Sequence, residues 1–330
     1  MQLYLVGIDH NSAPSEIREK FRFYQKGGEK PGGPLPAETV LLITCNRIEI
    51  YLWSTRPLDR DLVAVFLEIF PSDDKIASEF FYRYLDVGAV QHLLELAVGL
   101  KSMIVGETEI LGQISRAYQS VVGLNYLNRL FARVIGHARR IRTQTKIGEN
   151  GLSLVNLVRK ELAGIRGNLR DLRGLIIGNG DIARKVATVL AGEGVRLTIV
   201  NRDKILLGPG SGSLLSETGG LEKLIAENEL IVTATGSPDF IIDRTYRGRL
   251  KKKILVDLSF PRNIHPEAAK DGATILWDLE FFKEKAAINY ELKRRSILEA
   301  RELCQRFAPR IWEKFLADCR ALASRKVANG

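Results

Sequence analysis

The chain contains 330 residues, enough for two or three domains, and its 45% hydrophobic and 27% charged residues are typical of globular proteins with a sizeable core. Its three cysteines form no CxxC pair and its four histidines are scattered, so neither a disulfide framework nor a metal site is predicted. The N-terminus lacks a basic segment followed by a long apolar one, and no run of about 18 apolar residues occurs. We therefore expect a cytoplasmic protein that does not enter a membrane.

The formal net charge of +10, with an isoelectric point near 9.5, indicates a polyanionic partner, because neutralising phosphates provides sequence-independent affinity. Three basic clusters stand out: Arg139 to Arg142, Lys251 to Lys253 and Lys293 to Arg295. Each cluster taken alone is typical of a solvated helix face or loop. The total charge is therefore more informative than any one cluster.

The first region, residues 1–150, is predicted to begin as an α/β unit. The predicted strands are 3–8, 39–43, 48–53 and 79–85, and the helices between them are 14–24 and 59–70. This β-α-β-β-α-β order favours a ferredoxin-like sandwich. A glycine- and proline-rich loop is predicted at 27–36, and three more helices are predicted at 88–99, 107–121 and 126–146.

A cysteine lies between two of these predicted strands, in the sequence Thr44-Cys45-Asn46-Arg47. A neighbouring cation favours the thiolate, which is the reactive form, so Cys45 is a candidate nucleophile. A free cysteine at a strand end is also commonly a buried, inert residue. The tetrapeptide alone leaves both interpretations open.

The second region, residues 151–280, has the pattern of a dinucleotide-binding unit. A short apolar strand, Gly174 to Ile177, precedes the turn Gly178-Asn179-Gly180-Asp181-Ile182-Ala183, a helix at 184–191 and a strand at 196–200. In such a turn the first glycine allows the tight bend, the second admits the pyrophosphate, and a small third residue lets helix and strand pack closely. We therefore predict a Rossmann-type domain.

The end of the second strand distinguishes the two nicotinamide dinucleotides. An acidic residue there would bind the ribose 2′-hydroxyl of NAD, whereas an arginine suits the 2′-phosphate of NADP. The strand is followed by Asn201-Arg202, so NADP is favoured, although Asp203 argues weakly for NAD. Further strands are predicted at 230–234, 253–258 and 275–278.

The third region, residues 281–330, is predicted to be helical. Apolar residues recur at helical spacing from 282 to 307, and Pro309 is expected to kink or break the helix before a second stretch at 310–326. Cys304 and Cys319 fall in these helical stretches and are expected to be inert.

Three blocks of sequence resemble the signatures of one enzyme family. They are Gly7-Ile8-Asp9-His10-Asn11-Ser12-Ala13-Pro14, Thr44-Cys45-Asn46-Arg47-Ile48-Glu49-Ile50-Tyr51, and the stretch from His92 to Gln113. Over residues 3–310 the chain resembles glutamyl-tRNA reductase, which uses NADPH to start tetrapyrrole synthesis from glutamyl-tRNA(Glu). The resemblance implies an α/β multidomain fold with a ferredoxin-like catalytic domain, a Rossmann-type NADP-binding domain and a C-terminal spinal helix.

The resemblance also implies a reaction in two stages. Cys45 would attack the ester carbonyl that joins glutamate to the tRNA, leaving a thioester that hydride from NADPH would reduce to glutamate-1-semialdehyde. His92 matches a histidine important for activity, as a general acid or base. Arg47 would pair with the substrate carboxylate and Glu107 with its ammonium.

Further residues match the family's binding sites. The positions that match the substrate pocket are Thr44, Asn46, Arg47, Ser102, Glu107, Thr108, Glu109 and Gln113. The positions that match the cofactor site are Gly178, Asn179, Gly180, Asp181, Ile182, Ala183, Asn201 and Arg202.

Some positions depart from the family pattern. Lys101 reverses the charge of an aspartate, Glu109 replaces a glutamine and Asp203 replaces a threonine. Two alternatives therefore stay open: a paralogous oxidoreductase of tetrapyrrole metabolism, and a non-catalytic homologue that binds tRNA or a protein partner. In the family, glutamate-1-semialdehyde aminomutase is a candidate partner. Most of the family's dimerisation domain has no counterpart before residue 330, which puts the family's homodimer in doubt.

Overall fold

A computed structural model describes residues 1–21, 38–44, 46–70, 72, 76–107, 109–119, 126–148, 153–201, 204–207 and 220–328. The chain divides into two compact units, one formed by residues 1–151 with 289–330 and the other by residues 152–288. The sequence predicts three regions, whereas residues 289–330 group here with the first unit. The loop predicted at 27–36 lies outside the described residues.

The first unit contains a four-stranded antiparallel sheet. Its strands are β1 (Gln2–Asp9), β2 (Glu38–Thr44), β3 (Arg47–Ser54) and β4 (Tyr82–Leu85), in the spatial order β2-β3-β1-β4. Two helices, α1 (Ser15–Glu19) and α2 (Leu62–Ile69), occupy the two crossovers between the strands. The order β1-α1-β2-β3-α2-β4 with this spatial arrangement confirms the predicted ferredoxin-like sandwich.

Both faces of this sheet are covered. On one face Ile48, Ile50 and Leu52 of β3 pack in a cluster with α2. On the other face Tyr51 and Trp53 join a larger helical core. The helices of the first unit beyond the sheet are α3 (Asp86–Val98), α4 (Glu109–Gln119), α5 (Leu127–Thr145) and α10 (Arg294–Ala328). Since both faces are buried, β3 is a continuous apolar run interrupted by few polar residues.

The C-terminal helices differ from the prediction. Helix α9 (Leu279–Leu292) ends before Lys293, whose buried ammonium donates a hydrogen bond to the carbonyl of Ile147 at 2.7 Å. Helix α10 then runs through Pro309 without ending, so of the predicted kink or break the break is wrong. Pro309 is exposed, while Ala308 and Ile311 beside it are buried. The burial of that face holds the helix together across the hydrogen bond that proline cannot make.

The second unit is a six-stranded sheet. Its strands are β5 (Arg173–Ile177), β6 (Arg196–Asn201), β7 (Lys204–Leu207), β8 (Leu230–Thr233), β9 (Ile254–Asp257) and β10 (Ile275–Trp277), in the order β10-β9-β8-β5-β6-β7. All adjacent pairs are parallel except β6 with β7. The helices α6 (Leu154–Arg166), α7 (Asp181–Gly192) and α8 (Gly220–Glu227) also belong to this unit, as does α9 up to Ile288. The arrangement confirms the predicted Rossmann-type domain.

Candidate active site

A fully buried carboxylate lies on β3, four residues after Cys45. Glu49 Oε1 accepts hydrogen bonds from Tyr82 Oη at 2.6 Å and Arg47 Nη1 at 2.8 Å, and it lies 2.8 Å from His92 Nε2. The second oxygen, Oε2, accepts a hydrogen bond from Tyr51 Oη at 2.7 Å. We call Arg47, Glu49, Tyr51, Tyr82 and His92 the Glu49 cluster.

A glycine makes room for this cluster. Gly7 of β1 lies between Glu49 of β3 and Tyr82 of β4 in the sheet. A Cβ atom at Gly7 would lie 2.8 Å from Glu49 Cγ and 2.9 Å from a ring carbon of Tyr82. Only glycine therefore allows the two side chains to meet above β1. Gly7, the first residue of the first sequence signature, thus leaves space for Glu49 of the second signature.

The charges of the cluster stabilise one another. Burial by itself would raise the pKa of Glu49, but His92 and Arg47 together hold the pKa of this carboxyl far below its usual range. Burial would likewise lower the pKa of Arg47, and the carboxylates of Glu49 and Asp9 raise it instead. Burial raises the pKa of both Tyr51 and Tyr82, so their hydroxyls stay protonated and donate to Glu49.

His92 is held at only one of its two ring nitrogens. Its ring centroid lies 5.0 Å from those of Tyr82 and Tyr84. Nε2 faces ionised Glu49, which can only accept, so this nitrogen carries a proton. Nδ1 is buried and has no hydrogen-bond partner among the residues described. Nδ1 is thus the ring nitrogen that can exchange a proton with a reacting group, as a general acid or base must.

The tetrapeptide around Cys45 is described on either side of the cysteine. The hydroxyl of Thr44 accepts a hydrogen bond from the Asn46 amide at 3.2 Å, and the Asn46 carbonyl accepts one from the His10 amide at 3.0 Å. These contacts tie the end of β2 to the end of β1. Cys45 itself lies outside the described residues.

Arg47 is engaged within the protein. Its Nη1 donates to Glu49 and lies 3.5 Å from Asp9 Oδ2, while Nη2 donates to the Lys101 carbonyl. The side chain is 1% exposed. The predicted two-pronged contact with a substrate carboxylate would require the guanidinium to leave some of these partners. The contacts instead join β3 to the segment that carries the other predicted substrate residues.

That segment, residues 99–107, is shaped by two glycines and an arginine. Gly99 and Gly106 have φ of +92° and +84°, and a Cβ at Gly106 would lie 2.1 Å from the Ile147 carbonyl oxygen. Arg142 of α5 donates to the carbonyls of Val98 at 2.6 Å, Glu107 at 2.9 Å and Gly106 at 3.0 Å. The segment is therefore fixed to α5 by its backbone.

The predicted substrate residues of this segment are partly buried. Ser102 is 7% exposed, and burial raises the pKa of Glu107 to about 7. The nearby Ser102 hydroxyl lowers the pKa of Glu107 and so partly offsets this rise. The Ser102 Oγ itself makes no hydrogen bond with the residues that the structure describes. Glu109 and Gln113 are half-buried on α4, and Thr108 lies outside the described residues.

In the second unit the glycine turn begins α7 as predicted. Gly178 has φ of +127°, and a Cβ there would lie 2.3 Å from the Ala234 carbonyl oxygen. Gly180 is the N-cap of α7, with open space where a Cβ would stand, and Ala183 is 1% exposed. The turn thus presents bare backbone at a helix N-terminus, which fits the pyrophosphate of a dinucleotide.

The remaining predicted cofactor residues surround this turn. The backbone and side-chain oxygens of Asn179 both accept hydrogen bonds from Arg184 at 3.1 Å, while Asp181 and Ile182 open α7. Asn201 ends β6 and is exposed. Arg202 lies outside the described residues, so the choice between NAD and NADP stays a prediction.

Comparisons with known proteins join these two units in one family. Residues 6–145 match the family of glutamyl-tRNAGlu reductase N-terminal domains, and residues 160–283 match the shikimate/quinate 5-dehydrogenase family. A glutamyl-tRNA reductase of Chloroflexus aurantiacus is 31% identical over 338 residues, covering 91% of this chain and 76% of that protein. The chain belongs to the glutamyl-tRNA reductase family.

Other members of the glutamyl-tRNA reductase family match over similar lengths. The glutamyl-tRNA reductase of Bacillus pumilus is 31% identical, covering 92% of this chain and 71% of that protein. The solved glutamyl-tRNA reductase from Methanopyrus kandleri is 27% identical, with a TM-score of 0.48, over 98% of this chain and 82% of that one. The dehydrogenase match of the second unit indicates a nicotinamide cofactor.

Three residues that organise the two units were not predicted from the sequence. In the first unit these are Glu49 and Tyr82. In the second unit it is Asp257, which accepts hydrogen bonds from Thr233 Oγ1 at 2.8 Å and from the amides of Ser259 at 3.0 Å, Asn263 at 2.8 Å and Ile264 at 2.8 Å. These bonds join the carboxyl ends of β8 and β9, where a cofactor crevice forms in such sheets. An acidic residue that ends a predicted buried strand was the available signal.

Proposed function

We propose that this protein is an NADPH-dependent glutamyl-tRNA reductase that converts glutamyl-tRNA(Glu) to glutamate-1-semialdehyde, the first step of tetrapyrrole synthesis. The proposal rests on one observation. A single chain of this family combines the Cys45 signature with a glycine turn in which Gly178 leaves no space for a Cβ atom. The first feature supplies a nucleophile and the second a place for a hydride donor.

The two features are proposed to serve different stages of the reaction. The Cys45 thiolate attacks the ester carbonyl carbon, and the bond to the tRNA 3′ oxygen breaks, leaving a thioester and a tRNA hydroxyl that has taken up a proton. NADPH, when bound, supplies the hydride that makes an aldehyde of the thioester and returns the cysteine to its thiolate. A thioester accepts hydride far more readily than a carboxylate, which is the advantage of the covalent route.

His92 is the proposed proton carrier. Its Nε2 proton is fixed by Glu49, so Nδ1 is the nitrogen that takes the thiol proton and gives it to the leaving 3′ oxygen. In this role Glu49 orients the histidine and compensates the positive charge that the ring gains, while Arg47 helps to hold Glu49 in place. Glu107 is the proposed partner of the substrate ammonium, because an arriving cation would ionise a carboxyl whose pKa lies at about 7.

The cofactor is proposed to lie on the turn from Gly178 to Ala183. Bare backbone at Gly180 and the N-terminus of α7 would hold its pyrophosphate. Arg202, from the sequence, is the proposed partner of a 2′-phosphate, and this residue is the basis for NADPH over NADH. Asn201, at the end of β6, would lie beside the ribose.

A single-turnover assay tests the proposal. Wild-type protein is mixed with glutamyl-tRNA and NADPH, and semialdehyde formation is followed beside the Cys45→Ser variant. We expect semialdehyde from the wild type alone. NADPH binding without semialdehyde would favour the paralogous oxidoreductase, while failure to bind NADPH would favour a non-catalytic homologue. Product from Cys45→Ser at the wild-type rate would remove the thioester from the mechanism.

A further inference from the structure

A basic groove of about 390 Å³ lies on the first unit, between α5 and α10. Its α5 side carries Arg129, Arg133, His137 and Arg140, and Asp318 of α10 faces them. The α5 residues are spaced by four, four and three positions, so they follow one side of the helix. None of them takes part in the Glu49 cluster or the glycine turn.

The positive charge of the groove is only partly compensated. Arg133 Nη2 forms an ion pair with Asp318 Oδ2 at 2.8 Å. Arg129 and Arg140 are exposed and form no ion pair within the described residues. Arg133 Nη1 is buried and has no hydrogen-bond partner in the same part of the chain. Two free guanidinium groups and one unsatisfied donor therefore line a single groove, which suits an anionic ligand.

We propose that this groove binds the sugar-phosphate backbone of the tRNA substrate. The inference rests on the proposed function, which supplies the polyanion. Arginine pairs with phosphate through two donors, so a row of arginines is well suited to a phosphate strand. Gly136, on the groove surface with open space at its Cβ position, leaves room for the strand to approach the helix.

The spacing of the charges fits such a strand. Arg129 and Arg140 are eleven residues apart on α5, or about 16 Å along the helix axis. A short run of nucleotides spans this distance, so the two arginines can each contact a phosphate of the same strand.

The basic cluster near the end of α5 does not form one surface. Arg142, two residues beyond Arg140, lies on the opposite side of the helix from the groove and donates to the carbonyls of Gly106 and Glu107. The cluster predicted from sequence as Arg139 to Arg142 is thus divided: Arg139 and Arg140 are exposed, whereas Arg142 holds the backbone of that segment.

Salt-dependent binding of deacylated tRNA(Glu) tests the groove. The variant is Arg129→Gln/Arg140→Gln, and the matched control is Lys160→Gln/Arg166→Gln, which removes two exposed charges from α6 of the second unit. Each phosphate contact contributes about 0.9 to the slope of log affinity against log salt. Between 50 and 200 mM KCl the wild type and the control should therefore lose about tenfold more affinity than the groove variant.

Three outcomes would overturn the proposal. The groove variant could show the wild-type salt slope, the control variant could lose as much slope as the groove variant, or the wild-type protein could fail to bind deacylated tRNA. The variant Arg129→Lys/Arg140→Lys, which keeps the charges, should restore most of the slope, and its failure would also count against the groove. Inorganic phosphate at equal ionic strength should displace tRNA no better than chloride. Stronger displacement would assign the groove to small anions.

This test separates the groove from the catalytic proposal. Deacylated tRNA carries no ester, so its binding requires neither Cys45 nor NADPH. Semialdehyde production together with an unchanged slope in the groove variant would reject the groove alone. A reduced slope without semialdehyde production by the wild type would reject the reaction and leave the tRNA-binding groove in place.

Discussion

Glu49 is the residue on which the polar interior of the first unit depends. It compensates Arg47, fixes the Nε2 proton of His92 and satisfies the hydroxyls of Tyr51 and Tyr82. The sequence identified Arg47 and His92 through the family signatures but gave Glu49 no role. A single glutamate in a strand commonly faces water. The nearly continuous apolar run of β3 indicates that both faces are covered, but it does not show which polar partners Glu49 meets there.

Replacing Glu49 tests this dependence. Glu49→Gln keeps the shape of the side chain but leaves Arg47 buried without its main counter-charge. We expect a loss of about 3–5 kcal/mol in the free energy of unfolding, measured by urea denaturation at pH 7. The matched control is Glu68→Gln, which breaks an exposed pair with Arg60 and should cost about 0–1 kcal/mol.

Equal, small losses in the two variants would show that the buried cluster is not a linked unit. Where Glu49→Gln fails to fold, Tyr82→Phe provides the milder comparison. It removes one donor to Glu49 and no charge, so a loss of about 1 kcal/mol is expected.

Glu107 makes folding stability depend on pH. Burial raises its pKa from the ordinary 4.5 to about 7, so the folded state binds more protons than the unfolded state between these values. Its contribution to stability is therefore present below about pH 4.5 and is lost as pH rises to about 7, amounting to at most about 3 kcal/mol. Urea titrations of Glu107→Gln and wild type at pH 5 and 7.5 measure the difference.

We expect Glu107→Gln to gain stability relative to the wild type as pH rises from 5 to 7.5. Glu79→Gln, at an exposed position, should show no such trend. A constant difference between Glu107→Gln and wild type across this range would mean that Glu107 is already ionised in the folded protein.

At the scale of elements, the sequence predicted the ferredoxin-like and Rossmann-type sheets because apolar strands bounded by turn residues mark both. The prediction from sequence failed where tertiary contacts outweigh local helix propensity. Pro309 is a helix breaker by its chemistry, yet α10 continues because Ala308, Ile311 and Phe315 share one buried face. Conversely, a helix ends at Lys293, although nothing local to this residue disfavours helix.

Substitutions at two glycines of the same turn distinguish an effect on folding from an effect on cofactor binding. Gly178→Ala places a Cβ 2.3 Å from the Ala234 carbonyl at a left-handed φ, so it should cost at least about 2 kcal/mol of unfolding free energy and weaken NADPH binding. Gly180→Ala meets open space at an ordinary φ of −76° and should change stability by less than about 1 kcal/mol.

NADPH titrations followed by cofactor fluorescence, together with urea denaturation, measure both effects. If the pyrophosphate lies against the turn, Gly180→Ala weakens NADPH binding even though the fold is unchanged. Wild-type affinity in Gly180→Ala would place the cofactor away from the N-terminus of α7.

At the scale of the whole chain, the first unit is discontinuous. Strand β3 and helix α10 are far apart in sequence, yet Trp53 of β3 packs against Trp312 and Phe315 of α10, with ring centroids 6.1 and 4.7 Å apart. The sequence predicted a separate helical region here because periodicity shows which face of a helix is apolar but not which element covers it. The apolar faces of these helices pack in the core of the first unit. No helix of the described residues is long and apolar enough to cross a membrane.

Truncation after Ile288 tests whether α10 completes the first unit. The shortened chain lacks buried core residues of α10, among them Ile297, Leu303, Ile311 and Phe315. Loss of one such phenylalanine side chain alone costs about 3–5 kcal/mol, and a whole domain is stable by only about 5–15 kcal/mol. We therefore expect β1 and β3 to lose hydrogen-exchange protection, while β5 and β8 keep theirs because all six strands of their sheet remain. Truncation after Ser324 is the control, because it retains these buried residues and should leave both units protected. Persistent protection of β1 after truncation at Ile288 would show that the sandwich folds without α10.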